Sequence, residues 1–432
     1  MSVADKIHST IINNCKPEQD RCIGVEIECL YYGPDGHRLP VNPGEKFSAS
    51  DMRTELETIL APEQAGFNLT LEPGGQLEWA SPPCKTLFDI DRFMSSYFEA
   101  AGKISEREQL IHLDFSLDPR YVPEDIQLIA ENKYRIMNDR FALTGDQGSW
   151  MMRNTASVQI NLDFSTEEEA AEMAHIGDVL SPLAAIAFSH SPFRQGKPVG
   201  LENIRYQVWE NTDRERCGYL LDKGLNQPDN LIRQYVDMVI GTPAIFVRGT
   251  DEQLSPFGGP LGTWLDVLEE NRVLQQDHIL LALHQIFTHV RFKNVLELRI
   301  SDRPPAGSEL APAAFWLGLL YSEPIRKQTR EEISLWTEQE RFDLNLLARQ
   351  LDMDQAGPRG KPIRYWINHF MSLALQGLDD HSRGLERSER VYLERYLDII
   401  LQGGSPTIQV QDQFWQRGVS LQDFIVERYS PF

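Results

Sequence analysis

Met151–Phe164 alternates polar and apolar residues more cleanly than any other stretch of the chain. Arg153, Thr155, Ser157, Gln159, Asn161 and Asp163 fall on one side, while Met152, Ala156, Val158, Ile160, Leu162 and Phe164 fall on the other. A period of two predicts a half-buried strand, so the fold must supply a sheet with one face on a core. The polar face carries a guanidinium, amides and hydroxyls in place of the Lys and Glu of an ordinary solvated surface. Such a face suits a site.

Other segments share that character. In Cys22–Tyr32 the residues Ile23, Val25, Ile27 and Cys29 oppose Glu26 and Glu28, which puts two carboxylates on the same side of one strand. Leu69–Ala80 reads as two short strands joined at Pro73-Gly74-Gly75, with Glu72 just before the turn and Glu78 just after it. His289–Ser301 reads as one further strand, where Val290, Phe292, Leu296, Leu298 and Ile300 oppose His289, Arg291, Lys293, Glu297 and Arg299. A shorter strand is expected at Leu110–Leu117, ending before Asp118-Pro119.

Between them lie helical patterns. Asp51–Leu60, Phe88–Ser105, Leu231–Val239 and Trp264–Glu270 have helical spacing, the last two flanking an apolar segment at Ala244–Val247. Ser165 with Glu168 three residues on is a capping-box pattern that opens a helix over about Thr166–Ala187, with Pro182 expected to kink it or end it early. Pro119–Ser149 reads as a mixed stretch with a flexible loop at Gly145 and Gly148, and Ser191–Gly218 as a long polar loop with Arg and Trp. From Pro312 the pattern is mostly helical, Leu385–Leu401 being the clearest helix. The expected class is α+β: about six antiparallel strands backed by helices, in one domain over residues 1–432 with a sheet-bearing core at 22–303 and a helical region at 312–432.

Composition narrows the function. At 432 residues a large core is available, and the formal charge of −22 argues against nucleic acid and acidic membranes as partners. No apolar run is long enough to span a bilayer, and the N-terminus lacks the pattern of a signal peptide, so a cytoplasmic location is expected. Five scattered cysteines (Cys15, Cys22, Cys29, Cys84, Cys217) without a C-x-x-C suggest buried free thiols rather than disulfides or zinc. There is no P-loop, no Rossmann fingerprint and no Ser or Cys nucleophile motif, and neither His175 and His190 nor His284 and His289 have a metal-ligand spacing.

What remains is carboxylates and arginines. Glu26, Glu28, Glu72, Glu78 and Glu297 come from three strand regions and would repel one another on one face without a cation. Oxygen ligands of this kind suit magnesium or manganese, commonly bound together with phosphates. Arg153, Arg291 and Arg299 would share that face, where a guanidinium fork holds phosphate or carboxylate at two points. Taken singly, each Glu is better explained by solvation of an exposed strand, and a structural ion-pair lattice explains Lys293 as well as a binding role does but Arg291 and Arg299, which bracket Glu297 on the same face, less well. Taken as a set, they point to a metal-assisted, phosphate-handling enzyme with an anionic substrate.

Gly24-Val-Glu-Ile-Glu28, Leu71-Glu-Pro-Gly-Gly-Gln-Leu-Glu78, Met151–Phe164, the Arg205–Arg216 loop and Leu296-Glu-Leu-Arg299 occur in the order found in the plant-type glutamate–cysteine ligases, which the chain resembles from about Cys22 to Arg303 and more weakly around Leu385–Tyr396. The resemblance implies a glutamine-synthetase-like fold with a curved antiparallel sheet, and ATP-dependent joining of the glutamate γ-carboxylate to the cysteine amine through a γ-glutamyl phosphate, the first step of glutathione-type thiol synthesis. It implies Glu26, Glu28, Glu72, Glu78 and Glu297 as ligands of magnesium on the nucleotide phosphates, and Arg291 and Arg299 as the groups steadying the phosphoryl group. Arg205 and Trp209 would receive the glutamate carboxylate, with Arg153 and Thr155 bordering the amino-acid pocket. The cysteines of plant redox control have no match here, so no thiol switch is inferred, and the lack of a transit peptide looks bacterial rather than plastidial. A related ligase using another amino acid or amine as acceptor is the alternative. A non-catalytic binding or regulatory relative would have lost the metal carboxylates, and all five are present.

Overall fold

The computed structural model describes residues 1–61, 65–249 and 252–429. An antiparallel sheet forms its centre, built from β1 (Ile23–Tyr32), β2 (Asn68–Leu71), β3 (Leu77–Ala80), β4 (Ile111–Leu113), β5 (Val158–Leu162), β6 (Val290–Phe292) and β7 (Leu296–Leu298). In space the order is β6-β7-β5-β1-β3-β2. β1 is long enough to pair with β5 and β3 through its first part and with β4 through Leu30–Tyr32. Its apolar side, Val25, Ile27 and Cys29, joins Val158, Ile160, Leu162, Leu296 and Leu298 in one buried cluster.

Helices cover that apolar face. The main helices of the chain are α1 (Leu87–Glu108), α2 (Asn132–Thr144), α3 (Gly148–Asn154), α4 (Glu167–Ala187), α5 (Ile204–Glu210), α6 (Ala311–Tyr321), α7 (Ile363–His381), α8 (Val391–Gly403) and α9 (Leu421–Tyr429); of these α1, α4, α6, α7 and α8 contribute to that buried cluster, whereas α2, α3 and α5 build a separate one on the polar side of the sheet. α4 lies on β6 and β7, and every residue of α6 is buried. A helix apolar on all sides must be surrounded, and α6 packs against α7, α8 and β5. After Ala311 the named elements are all helical.

Several expectations need correction. Met151–Phe164 is not one strand: its first residues complete α3, and β5 begins only at Val158. The consecutive residues Trp150, Met151 and Met152 are all buried against Phe141, Ile204 and Val208, which a helix end allows and an alternating strand does not. His289–Ser301 is likewise a hairpin, β6–β7, with Arg291 opposite Glu297. Pairing of Phe292 with Leu296 leaves three residues in the turn, so the apolar parity continues through it and alternation cannot reveal the reversal. The strand expected at Leu110–Leu117 is confined to β4.

The Pro119–Ser149 stretch contains α2, and the polar loop Ser191–Gly218 contains α5. α4 is capped by Thr166, which accepts from the Glu169 N–H, one residue later than the Ser165–Glu168 pattern suggests; Pro182 sits inside the helix without ending it. Helix α8 starts at Val391, not Leu385. The preceding segment is held instead by Glu389, whose carboxylate accepts from Leu87 N–H at the start of α1 (2.6 Å) and is paired with His381 (2.5 Å). Among the cysteines, Cys29, Cys84 and Cys217 are buried, Cys15 and Cys22 partly so, and all five are free. Among the described residues, no helix is long and apolar enough to cross a membrane.

The turn between β2 and β3 fixes the site's geometry. Gly75 has φ +77°, and a Cβ on Gly74 would stand 2.4 Å from the Arg153 carbonyl oxygen at the end of α3. Backbone on backbone leaves nothing to give way. Gly74→Ala is therefore expected to cost about 1–3 kcal/mol or more, read as a lower melting temperature. An unchanged melting curve would mean the turn and α3 do not meet.

Candidate active site

Sheet register decides which side chains meet. Glu28 on β1 lies opposite Glu78 on β3, Thr70 on β2 opposite Glu78, and Gln159 on β5 opposite Glu26. Glu72 enters from the β2–β3 turn, whose Gly75 N–H donates to the Glu72 carbonyl (2.8 Å). Glu28, Glu72 and Glu78 each offer a carboxylate oxygen within 4.8 Å of the other two. These oxygens are held from behind. Ser157 Oγ and Gln159 Nε2 both donate to Glu28 (3.1 Å each), Thr70 Oγ1 to Glu78 (2.7 Å), and Asn161 Nδ2 to Glu26 (2.8 Å).

Electrostatics mark the three carboxylates as a set. Burial, and then the charge of Glu72, push the Glu28 carboxyl up to about 8. Burial raises Glu72, and burial with Glu26, Glu72 and Glu28 raises Glu78 well above the usual carboxylate range. A close group of oxygen ligands that resists ionising together fits a hard divalent cation, which would take the charge.

Glu297 behaves in the opposite way. Fully buried, it accepts from Arg291 Nη2 (3.0 Å) and Arg299 Nη1 (3.0 Å) and pairs with Lys293 Nζ (2.8 Å). Burial alone would raise its carboxyl, but Arg291, Lys293 and Arg299 outweigh this and hold it well below the ordinary value. Surrounded by three cations, it is in this state an ion-pair hub and not part of the carboxylate group that the sequence placed it in. Arg291, Lys293 and Arg299 together exceed its charge, so an excess of positive charge stands beside the acidic trio. Lys293 also approaches Glu26 (3.9 Å).

One cavity of about 370 Å³ gathers these groups. Of the residues singled out in the sequence, Glu26, Glu28, Glu72, Glu78, Thr155, Arg205, Trp209, Arg291 and Arg299 line it. Arg153 does not. Because α3 is a helix there, its guanidinium turns away to the carbonyls of Pro123 (2.8 Å) and Ile126 and to Asn138 Oδ1 (2.9 Å). Its expected role bordering the amino-acid pocket is thereby corrected to tying α3 to its neighbours. Thr155 is at the wall, with its hydroxyl donating to the Met151 carbonyl (2.7 Å).

The α5 end of the cavity suits an anion. Arg205 is buried, with Nη1 on the Ile300 carbonyl (2.9 Å) and 3.5 Å from Asp302, while its Nε and the Trp209 Nε1 are buried donors without a partner in the described structure. Arg299 lies over the Trp209 and Phe287 rings. Sequence reasoning missed Lys133 and Gln76 and found no metal-ligand spacing for His284, yet all three line the cavity. Lys133 belongs to α2, whose signal was present: Tyr134, Met137 and Phe141 recur at helical spacing.

Comparison with known proteins agrees with this architecture. A family model described as glutamate-cysteine ligase family 2 matches residues 22–417. The chain is 28% identical over 435 residues to glutamate–cysteine ligase A, chloroplastic, of Oryza sativa subsp. indica, covering 95% of this chain and 85% of that protein. It is 27% identical over 382 residues to the chloroplastic enzyme of Medicago truncatula (85% and 72% covered) and 29% over 305 residues to that of Arabidopsis thaliana (66% and 55%). A 2.0 Å crystal structure of a glutamate–cysteine ligase from Francisella tularensis in complex with AMP shares the fold, with TM-score 0.54 and 14% identity over 94% of this chain and 87% of that one. These relatives overturn the cytoplasmic location expected from the N-terminus, since all three plant proteins are chloroplastic. An apolar leader is a mark of secretion, and its absence says nothing about plastids.

Proposed function

The chain belongs to the glutamate–cysteine ligase family 2, and from that premise we propose that it joins the γ-carboxylate of glutamate to the amine of cysteine at the expense of ATP. One observation carries the reading: three mutually repelling carboxylates and an excess of arginine and lysine face one another in a single cavity. Glu28, Glu72 and Glu78, with Glu26 at their edge, are the residues to hold magnesium, which when bound neutralises charge on the nucleotide phosphates. Arg291 and Arg299, fixed by Glu297, steady the phosphoryl group as it moves. Arg205 and Trp209, with their free buried donors, orient the glutamate carboxylate, and Thr155 shapes the wall beside it.

In the first step a γ-carboxylate oxygen of glutamate bonds to the γ-phosphorus, the bond to ADP breaks, and an acyl phosphate forms. In the second the cysteine nitrogen bonds to the acyl carbon, inorganic phosphate leaves with the C–O electron pair, and the amine gives up a proton. Residues 22–303 provide this machinery, and the helices of 312–432 support it from behind the sheet. Purified protein given ATP, magnesium, glutamate and cysteine is expected to yield ADP, phosphate and γ-glutamylcysteine in equal amounts by mass spectrometry. ADP formed only with a different amine assigns the chain to a sister ligase, and no ADP with any amine of a broad panel overturns the reading.

Metal binding should release protons. The Glu28 carboxyl titrates near 8 without metal and near 4.5 when the chain unfolds, so the unfolded state binds fewer protons between those values. The metal-free protein therefore loses stability as pH rises from about 4.5 to about 8, with no further loss from this group above that. Calorimetric titration with magnesium in buffers of different ionisation heat is expected to show proton release at pH 7 that has largely gone by pH 9. Equal release at both would place the metal elsewhere.

A further inference from the structure

Among the described residues, five Lys and Arg side chains line the carboxylate cavity, and four of them already face a carboxylate. Arg291, Lys293 and Arg299 surround Glu297, and Arg205 stands 3.5 Å from Asp302. Lys133 is the fifth. Among the described residues no carboxylate comes within ion-pair distance of it, and its ammonium lies 4.9 Å from the centre of the Tyr134 ring. The side chain is partly exposed and its ammonium is not one of the chain's buried donors, so a molecule in the cavity can reach it. His284 adds no charge there, since burial and the charges of Arg291 and Lys293 hold its imidazole down to about 3.

The place of Lys133 is set by its neighbour in α2. The Tyr134 hydroxyl donates to the Leu71 carbonyl (3.2 Å), which fastens the helix to the end of β2 beside Glu72. The ammonium therefore stands near the carboxylate trio: burial raises the Glu72 carboxyl, and the charge of Lys133 is the strongest influence drawing it back. On its other side the wall is apolar. Met137 lies one helical turn further along α2, and Ile245, Phe246 and Leu281 line the same cavity. Tyr134, Met137, Ile245 and Phe246 belong to one buried cluster, with Leu281 packed against it. Such a wall suits a short apolar side chain, and a thiol behaves there as a small apolar group.

The proposed reaction, on which this inference rests, brings in the nucleotide phosphates, the glutamate carboxylate that does not react and, when the acceptor is an amino acid, the acceptor's own carboxylate. Arg291 and Arg299 serve the first and Arg205 the second. We infer that Lys133 receives the third, so that the site selects an acceptor with a carboxylate next to its amine and a short apolar or thiol side chain. The carboxylate accepts from Lys133 Nζ and the side chain lies against Met137 and Phe246, which leaves the amine free to meet the acyl carbon beside the trio. A simple amine with the same side chain gains nothing from the ammonium. Lys133 touches the acceptor and not the transferring phosphoryl group, so it acts on acceptor affinity.

Initial rates with cysteine and with cysteamine, which is cysteine without its carboxylate, test this on the full-length protein. The wild type should favour cysteine by at least about tenfold in kcat/KM, as loss of a charge-assisted hydrogen bond requires. Lys133→Met keeps the stem beside Tyr134 and removes the charge. It should raise KM for cysteine about tenfold or more, leave KM for cysteamine, glutamate and ATP within about twofold, and so erase the preference. Lys133→Arg, which keeps a cation, should retain most of it. If Lys133→Met loses its circular dichroism, Lys133→Gln carries the same comparison, and if another amino acid proves to be the acceptor, it and its decarboxylated amine replace the pair. Equal use of cysteine and cysteamine by the wild type overturns the inference, as does a folded variant whose KM rises for ATP or glutamate in place of cysteine. No ADP with any amine sinks the ligase reading and this inference with it, whereas turnover with cysteine that Lys133→Met leaves untouched sinks the inference alone.

Discussion

Glu28→Gln is expected to lower turnover by about 10²–10³-fold without lowering the melting temperature. The amide keeps an oxygen to accept from Ser157 and Gln159, so the packing around residue 28 has no reason to change. Its NH₂ meets Glu72 and Glu78 as a donor, where the carboxylate met them as a like charge. Removing that repulsion flattens the fall in stability between pH 4.5 and 8 and cuts the protons released by magnesium. A variant with wild-type turnover removes the trio as the metal site. One that is inactive because it is unfolded leaves a lower melting temperature, the opposite of what charge removal should do.

Those three carboxylates were legible because period two is a strong signal over Gly24–Glu28, and because a Gly-Gly turn brackets Glu72 and Glu78 within seven residues. The polar face of residues 157–162 was legible too, although its Ser157 and Gln159 turn out to orient Glu28. Where the reading failed, alternation was degenerate. Arg153 and Thr155 continue the polar parity of β5, yet a helix end also places single residues on a pattern that short, and burial of Trp150, Met151 and Met152 chose the helix. In β6–β7 a three-residue turn preserves parity, so the sequence could not show that Arg291 and Glu297 face each other across two strands. Register follows from the turn, and only register turns a candidate metal ligand into the centre of an ion-pair cluster. Compartment was a different kind of failure, because an absent signal carries less than a present one.

The same cluster gives the largest expected stability effect. Glu297→Gln leaves Arg291, Lys293 and Arg299 around a neutral amide whose NH₂ is a fourth donor in a place that has only donors. Breaking one side of a buried ion pair costs about 3–5 kcal/mol, since the partner charges stay buried. The melting temperature should fall by several degrees, and turnover with it, as both arginines lose the carboxylate that holds them in the cavity wall. The pH dependence distinguishes this from simple damage to the core. With its carboxyl held well below 4.5 in the folded protein, Glu297 contributes stability that is present above that value and lost as pH falls through the lower folded one. The variant should therefore lack that part of the acid-side decline shown by the wild type, so the two stability curves converge at low pH. Parallel curves, or a variant as stable as the wild type at pH 7, would show that Glu297 is not what holds the three cations together. Glu28 and Glu297 are thus expected to differ in stability under the same chemical change: neutralising the first should spare the fold and lower turnover, whereas neutralising the second should lower both. That contrast tests whether one cavity separates a cation-binding side from an anion-binding side.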